Sequence, residues 1–329
     1  AEALKNLAYY EIEKNHYDQP FQLLNQANQI WVTAFGERNV NSARVAMLMG
    51  DLYAKLKKFK TAENNYKQAR KIYRKIFSDA HPEYVRALSK IGKIEFVRGR
   101  YKKANKILAE TTKQYLNYIG TYFPVLSEGE KSKYWQLIRS DFEFFNTLAV
   151  QQAQRRSRQK LLGEMYNHTL ATKALLLSSS KKVRNRILNS GDTQLINLYS
   201  QWVERKEFLT TILSMSEDQL KQSDIKPRKV EKEIEQLEKE LNKKSNLFAK
   251  GFEQKKYTWQ DVQKTLKPGE AAIEIIRYRE YTQDFTDSVR YAALIVTPKS
   301  KRSPQLVLLK NGYHLENRYL KYYRNSIRF

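Results

Sequence analysis

The sequence contains no cysteine, little glycine and proline, and no long hydrophobic run. Without cysteine, this chain forms no disulfide bond and supplies no thiolate for a metal site or for nucleophilic catalysis. It has 11 glycines and 7 prolines among 329 residues, a low content that is typical of long helices and few turns. No apolar run approaches the roughly 18 residues that a membrane-spanning helix needs. The sequence therefore predicts a mainly helical protein without a membrane span.

The beginning of the sequence bears on its location. No secretion signal is present, so we favour a cytoplasmic location. However, Ala1 lies inside a helical pattern that has no capping residue and no initiating Met. We therefore expect the chain to be part of a longer protein, and the sequence leaves secretion open.

The formal net charge is +25, because 60 lysines and arginines outnumber 35 aspartates and glutamates. A basic surface can contact nucleic acid, an anionic membrane or an acidic protein. The basic residues are spread along the chain, however, which is also typical of the solvated surface of a lysine-rich helical protein. Composition alone leaves these interpretations open.

The histidines indicate neither a metal site nor a cofactor. None lies four residues from another histidine or in an HExxH motif, which would place two ligands on one helix face. We predict solvated or hydrogen-bonded roles, and no cofactor or metal, for His16, His81, His168 and His314.

A tandem repeat with a period of 42 residues occupies the N-terminal part of the sequence. In its clearest copy the anchors are Gly50, Phe59, Ala62, Tyr66 and Ala69. A fixed period in this range is typical of a helical solenoid. The period relates Gly50 to Gly92 and Ala8, Phe59 to Tyr101 and Tyr17, Ala62 to Ala104, Ala69 to Ala27, Tyr73 to Trp31, and Pro82 to Pro124.

The spacing of these anchors predicts antiparallel helix pairs. Glycine inside a helix costs about 1 kcal/mol relative to alanine, a cost that is tolerable where a neighbouring helix packs closely. Ala62, Tyr66 and Ala69 lie on one face of the second helix. This pattern resembles the tetratricopeptide repeat (TPR), whose usual period is about 34 residues, with a longer second helix. We expect three such repeats in residues 1–124.

In TPR geometry the first helix of each pair lines a groove that binds extended or helical peptides. We therefore predict a protein or peptide partner in this groove. The positions on that helix face are Lys5, Tyr9, Arg44, Met47, Asp51, Arg86, Ser89 and Lys93.

Residues 125–256 are expected to contain further helical repeats and a coiled-coil-like hairpin, although the 42-residue register is lost. Ser127, with Glu130 three residues later, predicts a helix start, and Ser178 to Ser180 are expected to end a later helix. Residues 195–213 are expected to pair as a hairpin with a coiled-coil-like helix, whose apolar positions are Val230, Ile234, Leu237 and Leu241.

Residues 257–329 change to a strand-rich pattern. After a short helix at residues 259–266, three apolar runs predict buried strands at residues 271–276, 291–296 and 305–309. Polar turns are expected at 282–288 and 297–304. A final helix at 315–327 places Tyr319, Leu320 and Tyr323 on one side, a spacing that favours core packing.

These C-terminal segments are the most specific part of a resemblance that covers the whole chain. The runs PGEAAIEIIRY (268–278) and YAALIVTP (291–298) closely resemble bacterial TPR proteins that end in a CHAT domain, a caspase-like fold related to separase. The resemblance implies a mainly α protein: a TPR-type α-solenoid and a helical hairpin, followed by the first strands of an α/β CHAT domain at residues 257–329.

The family's activity is that of a cysteine endopeptidase with a His–Cys dyad beyond these strands. This chain contains neither motif, and His314 lies before a helix rather than after a catalytic strand. We therefore assign no catalytic residue. We expect the remaining sheet of the CHAT domain to come from downstream residues or from a second chain produced by cleavage.

Three hypotheses for function follow from the sequence. The first is the regulatory and scaffolding part of a CHAT peptidase, whose TPR groove binds an activator or a substrate. The second is a TPR interaction module without peptidase activity. The third is nucleic-acid binding, suggested by the charge and by aromatic residues among basic ones at residues 319–328.

Overall fold

A computed structural model of the chain describes residues 1–77, 79, 81–122, 127–153, 159–213, 223, 227–244, 257–309 and 312–327. Its N-terminal part consists of three helix pairs joined by short turns, and neighbouring helices pack in chain order. The helical repeats predicted from the sequence are therefore confirmed. The helices are α1 (Glu2–Glu13), α2 (Pro20–Phe35), α3 (Val40–Lys55), α4 (Phe59–Phe77), α5 (Pro82–Val97) and α6 (Tyr101–Tyr122).

The repeat period is visible in the backbone at the turn within each pair. Asn15, Lys57 and Gly99 all adopt left-handed backbone angles, with φ of 61°, 59° and 73°. These positions follow one another at the 42-residue period. Glycine adopts this conformation without steric cost, whereas other residues rarely do. The three pairs therefore share one turn geometry, although only the third places glycine there.

Gly50 and Gly92 lie where the two helices of a pair approach closely, as their positions predicted. A Cβ atom at Gly50 would clash with the ring of Tyr66 on the facing helix α4. A Cβ atom at Gly92 would lie 3.1 Å from Cγ2 of Ile107 on α6. Tight packing between the helices therefore offsets the low helix propensity of glycine.

The first repeat departs from the predicted register at its second helix. Phe59 opens α4, whereas its counterpart Tyr17 lies before α2, which begins at Pro20. Proline suits the first helical position because its φ is fixed near the helical value and its missing N–H would be unpaired there. Pro82 opens α5 in the same way, and its counterpart Pro124 lies outside the described residues.

Two long helices follow the repeats, α7 (Glu128–Ala153) and α8 (Lys160–Leu188). The predicted cap of α7 is confirmed: the N–H of Ser127 donates to Oε2 of Glu130 at 3.1 Å, and the N–H of Glu130 donates to Oγ of Ser127 at 3.3 Å. The helix end predicted at residues 178–180 is wrong, because α8 continues through the three serines. Serine is a moderate helix former, and neither glycine nor proline accompanies it there.

The predicted helical hairpin is confirmed. It consists of α9 (Thr193–Leu213) and α10 (Pro227–Lys244), which pack against each other. At its centre, Nε1 of Trp202 donates to Oε1 of Glu238 at 3.1 Å. The ammonium group of Lys206 lies 4.4 Å from the centre of the Trp202 ring. Apolar residues on either side of this cluster are Ile187, Leu195, Leu241, Ile212, Val230 and Ile234.

The three predicted strands are also confirmed, but the prediction that all three are buried is wrong for the third, which lies at the edge of the sheet and contains no buried residue. After the short helix α11 (Trp259–Thr265), β1 (Ala272–Tyr281), β2 (Phe285–Val296) and β3 (Gln305–Leu309) form an antiparallel sheet in that order. The turn predicted at residues 282–288 is too long, because the strands reach to within three residues of each other. The first four residues of β2, Phe285–Ser288, caused this error, because three of them are polar and such residues are also typical of turns.

The last helix, α12, consists of Gly312–His314, a π-helical turn at Leu315–Tyr319, and Leu320–Ser326. The core packing predicted for its aromatic residues is wrong, because no described residue from 315 to 326 is buried. Tyr323, for example, is 61% exposed.

One hydrophobic cluster joins the third repeat to the sheet. Phe96 of α5, Phe145 of α7, Met165 of α8 and Leu294 of β2 all belong to it. It thus contains residues from each of the three segments predicted from the sequence. The sheet is fixed against the repeats by shared apolar packing, which positions the turn between β1 and β2 beside the first helices of the repeats.

Candidate partner-binding groove

A groove of about 510 Å³ lies along the first helices of the repeats. Its walls come from α1, α3 and α5, from α7, and from the turn between β1 and β2. The helical walls are the ones that TPR geometry predicts for partner binding. The walls from α7 and the β1–β2 turn come from outside the repeats.

Five of the eight predicted partner-binding residues line this groove. Tyr9 is 52% exposed, so its ring is accessible to a partner. Ser89 is 1% exposed and forms part of the floor. The five lining residues are Tyr9, Asp51, Arg86, Ser89 and Lys93.

The other three predicted residues lie elsewhere. Lys5 donates to Glu2 on its own helix at 2.5 Å, and the exposed Arg44 donates to Asn41 at 3.2 Å. Met47 is buried in the core between the second and third repeats. It lies three residues before Gly50 and therefore shares the helix face that packs on α4.

Asp51 is held inside the groove by two donors. The hydroxyl of Tyr66 donates to Oδ1 of Asp51 at 2.7 Å, and Nζ of Lys90 lies 2.7 Å from the same oxygen. Burial, and then the charge of Asp51, raise the pKa of the Tyr66 hydroxyl well above its ordinary value. Asp51 is thus part of an internal network that links α3, α4 and α5, rather than a free carboxylate.

Lys93 connects the groove to α7. Its ammonium group lies 2.7 Å from Oδ1 of the buried Asp141, and the hydroxyl of Tyr115 donates to Oδ2 of Asp141 at 2.8 Å. Burial would raise the pKa of Asp141, but Lys93 and this hydroxyl outweigh that effect and hold the pKa below its ordinary range. The ammonium group also lies 5.4 Å from the ring centre of Phe285 and 5.9 Å from that of Tyr281, within the range of cation–π attraction.

Lys55 connects the groove to the sheet. Its ammonium group lies 2.9 Å from Oδ2 of Asp284 in the β1–β2 turn. This contact lowers the pKa of Asp284 against the opposing effect of its partial burial. Nearby on α5, Arg86 is exposed and makes no hydrogen bond or ion pair with any described residue. Arg86 is therefore a cation that lines the groove and is available to a ligand.

Several residues that line the groove were not predicted from the sequence. Lys55 and Lys90 each lie one helical turn beyond a predicted residue, Asp51 or Arg86, so extending the helix face by four positions would have found them. No sequence signal could have found Tyr281, Asp284 and Phe285, because they belong to a strand turn far along the chain.

A second accessible surface is the outer face of the sheet. Ile275 of β1 is 58% exposed and lies beside Ala293 of β2, which in turn lies beside Val307 of β3. The next row along contains Ile273 and Ile295. The row through Ile275 is therefore apolar across all three strands, whereas in the next row β3 contributes the polar Gln305. The inner face packs on α7 and α8.

Two features that the described residues lack concern membranes and metal ions. None of the described helices carries an apolar stretch long enough to cross a membrane. The described residues also contain no group of three or more histidine, cysteine, aspartate or glutamate side chains that could hold a metal ion. His16 lies on a loop, His81 at the start of α5, and His168 is half-buried on α8.

Comparison with known proteins identifies the repeats. Residues 1–75 and residues 41–117 each match the tetratricopeptide repeat family. The two matches overlap on the second helix pair and together extend from α1 into α6. No curated protein matches the chain. The N-terminal part is therefore an array of tetratricopeptide repeats, which indicates a protein-interaction module.

Proposed function

We propose that this chain is the regulatory and scaffolding part of a caspase-like CHAT cysteine endopeptidase, and that its TPR groove binds a protein activator or substrate. The observation that carries the proposal is the position of the β1–β2 turn, which forms one wall of the groove. A ligand in the groove contacts the edge of the sheet directly. Its binding can therefore shift the conformational equilibrium of the sheet.

The contacts between the sheet and the helices support this coupling. The N–H of Tyr281 donates to Oγ1 of Thr147 on α7 at 3.2 Å, and Nε of Arg279 donates to Oε2 of Glu143 at 2.9 Å. The ring of Tyr281 packs edge-on against Phe144, with 4.6 Å between ring centres. A movement of the β1–β2 turn would therefore also shift α7 and the adjoining end of β1.

The exposed outer face of the sheet supports the CHAT assignment of residues 257–329. An apolar row across three strands is normally covered in a folded protein. We propose that the remaining part of the CHAT domain packs there and supplies the catalytic residues, since this chain contains no cysteine. Residues 1–124 would then be the sensing unit and residues 125–256 the connecting unit.

The reading frame that encodes this chain tests the peptidase part of the proposal. A frame that continues beyond Phe329, with a histidine and a cysteine each following an apolar strand, would support it. A frame without these residues would leave the second hypothesis, a TPR interaction module without peptidase activity.

A binding experiment tests the groove. Peptides would be selected from a displayed library on the purified chain, and the affinity of each selected peptide measured by fluorescence anisotropy. Tyr9→Ala should weaken binding about tenfold, the loss typical of an interface aromatic residue. The matched control is Tyr10→Ala, because Tyr10 is equally exposed but is not among the lining residues. Equal affinities for both variants would place the ligand outside the groove.

Nucleic-acid binding remains as a second candidate, favoured by the exposed Tyr322 and Tyr323 beside Lys321 and Arg324 on α12. Aromatic rings among cations can stack on unpaired bases. The test is retention of single-stranded RNA at increasing salt, which should fall steeply if phosphates are bound. Loss of retention in a Tyr322→Ala, Tyr323→Ala variant would support this candidate, and no retention by the parent chain would exclude it.

A further inference from the structure

The tip of the β1–β2 hairpin lies in the TPR groove as a ligand would. Asp284 places its carboxylate against Lys55 of α3. The next residue, Phe285, presents its ring to the ammonium group of Lys93 on α5. An acidic residue followed by an aromatic one thus contacts cations from two successive repeats.

The charges of the groove favour an acidic occupant. Lys90 and Lys93 are neutralised by Asp51 and Asp141 from the helices themselves. The acidic partner that the structure gives Lys55 is Asp284 of the hairpin, and Arg86 forms no ion pair with any described residue. Without the hairpin tip, Lys55 would lose its ion-pair partner and keep only the more distant charge of Glu13, and Arg86 would remain unpaired among the described residues.

The hairpin tip is held less firmly than the strand next to it. Asp284 has a side chain that is 66% exposed, and ion pairs at such exposed positions contribute little to stability. The pairing register between the strands also shifts between Arg279 and Tyr281, just before the tip. By contrast, Tyr281 is 8% exposed and its N–H is bonded to Thr147. Tyr281 can therefore stay in place while residues 282–285 leave the groove, a movement that also breaks the edge-on contact between the rings of Phe285 and Tyr281.

We propose that the Asp284–Phe285 tip is an internal ligand of the groove, and that the partner is a protein segment with the same chemistry, an acidic residue followed by an aromatic one, which displaces it. This inference rests on the proposed binding function and adds the chemistry of the partner. Displacement releases the tip from the groove. Binding of the partner therefore changes the conformation of the hairpin at the edge of the sheet.

A synthetic copy of the tip provides the test. The probe is a fluorescent cyclic peptide with the sequence of residues 280–286, and its affinity is measured by anisotropy. An Asp284→Asn, Phe285→Ala chain, whose own tip competes poorly, should bind the probe roughly tenfold more tightly than the unmodified chain. Adding Lys55→Glu to that variant should abolish binding. The matched control is Asp287→Asn, which makes the same charge change outside the groove and should behave as the unmodified chain.

Two results would overturn the inference: equal affinity of the probe for the tip variant and the Asp287→Asn control, or probe binding that survives Lys55→Glu. If the double variant does not fold, as judged by circular dichroism, Asp284→Asn alone replaces it, with the same expected direction. A library-selected ligand that depends on Tyr9 but is not displaced by the probe would overturn this inference while leaving the proposed groove function intact. Failure of both the library and the probe would overturn both.

Discussion

The ammonium group of Lys55, at the end of the first helix of the second repeat, lies 2.9 Å from the carboxylate of Asp284, which follows it by 229 positions in the sequence. This contact joins the TPR groove to the turn of the only sheet among the described residues. It makes the sheet part of the groove wall. The repeats and the sheet therefore cannot be treated as independent units when partner binding is considered.

A charge-swap cycle tests whether this pair orients the turn. Lys55→Glu and Asp284→Lys should each loosen the turn, and the combined variant should restore it. The measurement is amide hydrogen exchange of residues 282–285. The change in the free energy of unfolding should stay below about 1 kcal/mol, because both side chains are largely exposed. Exchange that is equally fast in the combined variant and in the single variants would contradict the role of the pair.

His168 should make stability fall in mild acid. The residue is half-buried, its ring packs against the rings of Phe142 and Phe145, and its buried Nδ1 has no hydrogen-bond partner among the described residues. Burial lowers the pKa of His168 from 6.5 to about 4. The His168 imidazole therefore becomes protonated near pH 6.5 in the unfolded chain, but only near pH 4 in the folded chain. The free energy of unfolding is therefore highest above about pH 6.5. It decreases by up to about 3 kcal/mol as the pH falls from about 6.5 to about 4.

The measurement is urea unfolding of the parent chain and of His168→Phe between about pH 7 and about pH 4.5. His168→Phe should lose less stability over this interval, because phenylalanine does not titrate. Parallel slopes for the parent and His168→Phe would show that His168 has no part in the pH dependence.

Glu63 should affect the pH dependence of stability at a lower pH than His168 does. It is buried on α4, where Lys67 and Arg98 lie 2.5 and 2.6 Å from its carboxylate oxygens. Burial opposes ionisation, but Lys67, a hydrogen bond with Glu95 and the charge of Lys103 outweigh it and lower the pKa of Glu63 from 4.5 to about 2. The stability that the ionised group contributes is fully present above pH 4.5 and is lost as the pH falls towards 2.

Glu63→Gln should therefore destabilise the chain at neutral pH and bring its stability closer to that of the parent at low pH. Chemical unfolding at several pH values measures the difference between the two. Glu37→Gln changes an exposed carboxylate without a partner among the described residues and serves as the control. A constant difference between Glu63→Gln and the parent at every pH would contradict the ionic explanation.

Gly50 and Gly120 should respond to alanine in opposite directions. Gly50→Ala brings a Cβ atom into the Tyr66 ring, so it should destabilise the chain by about 1–3 kcal/mol. Gly120, on α6, has open space at this position. Gly120→Ala should stabilise it by up to about 1 kcal/mol through helix propensity alone. Thermal unfolding of both variants gives the comparison, and a stabilised Gly50→Ala would exclude the close contact between α3 and α4.

Much of the fold could be predicted from the sequence because local patterns determine it. The recurrence of Gly50 as Gly92 and of Ala62 as Ala104 predicted the helix pairs, and apolar runs predicted the three strands. The errors came where a local signal is weak. Three serines do not stop a helix, and the polar residues at the start of β2 resemble a turn although they belong to the strand. The aromatic residues of α12 share a helix face, but nothing among the described residues covers them.

The sequence by itself determined that this protein has tetratricopeptide repeats, three strands and no cysteine of its own, because period, strand length and composition are properties of the chain read in order. Only the tertiary structure decided that Met47 is buried, that Asp51 and Lys93 are paired, and that Asp284 enters the groove. Those outcomes depend on which distant parts of the chain come into contact when apolar faces are buried together. The positions of residues along the sequence do not indicate which parts these are.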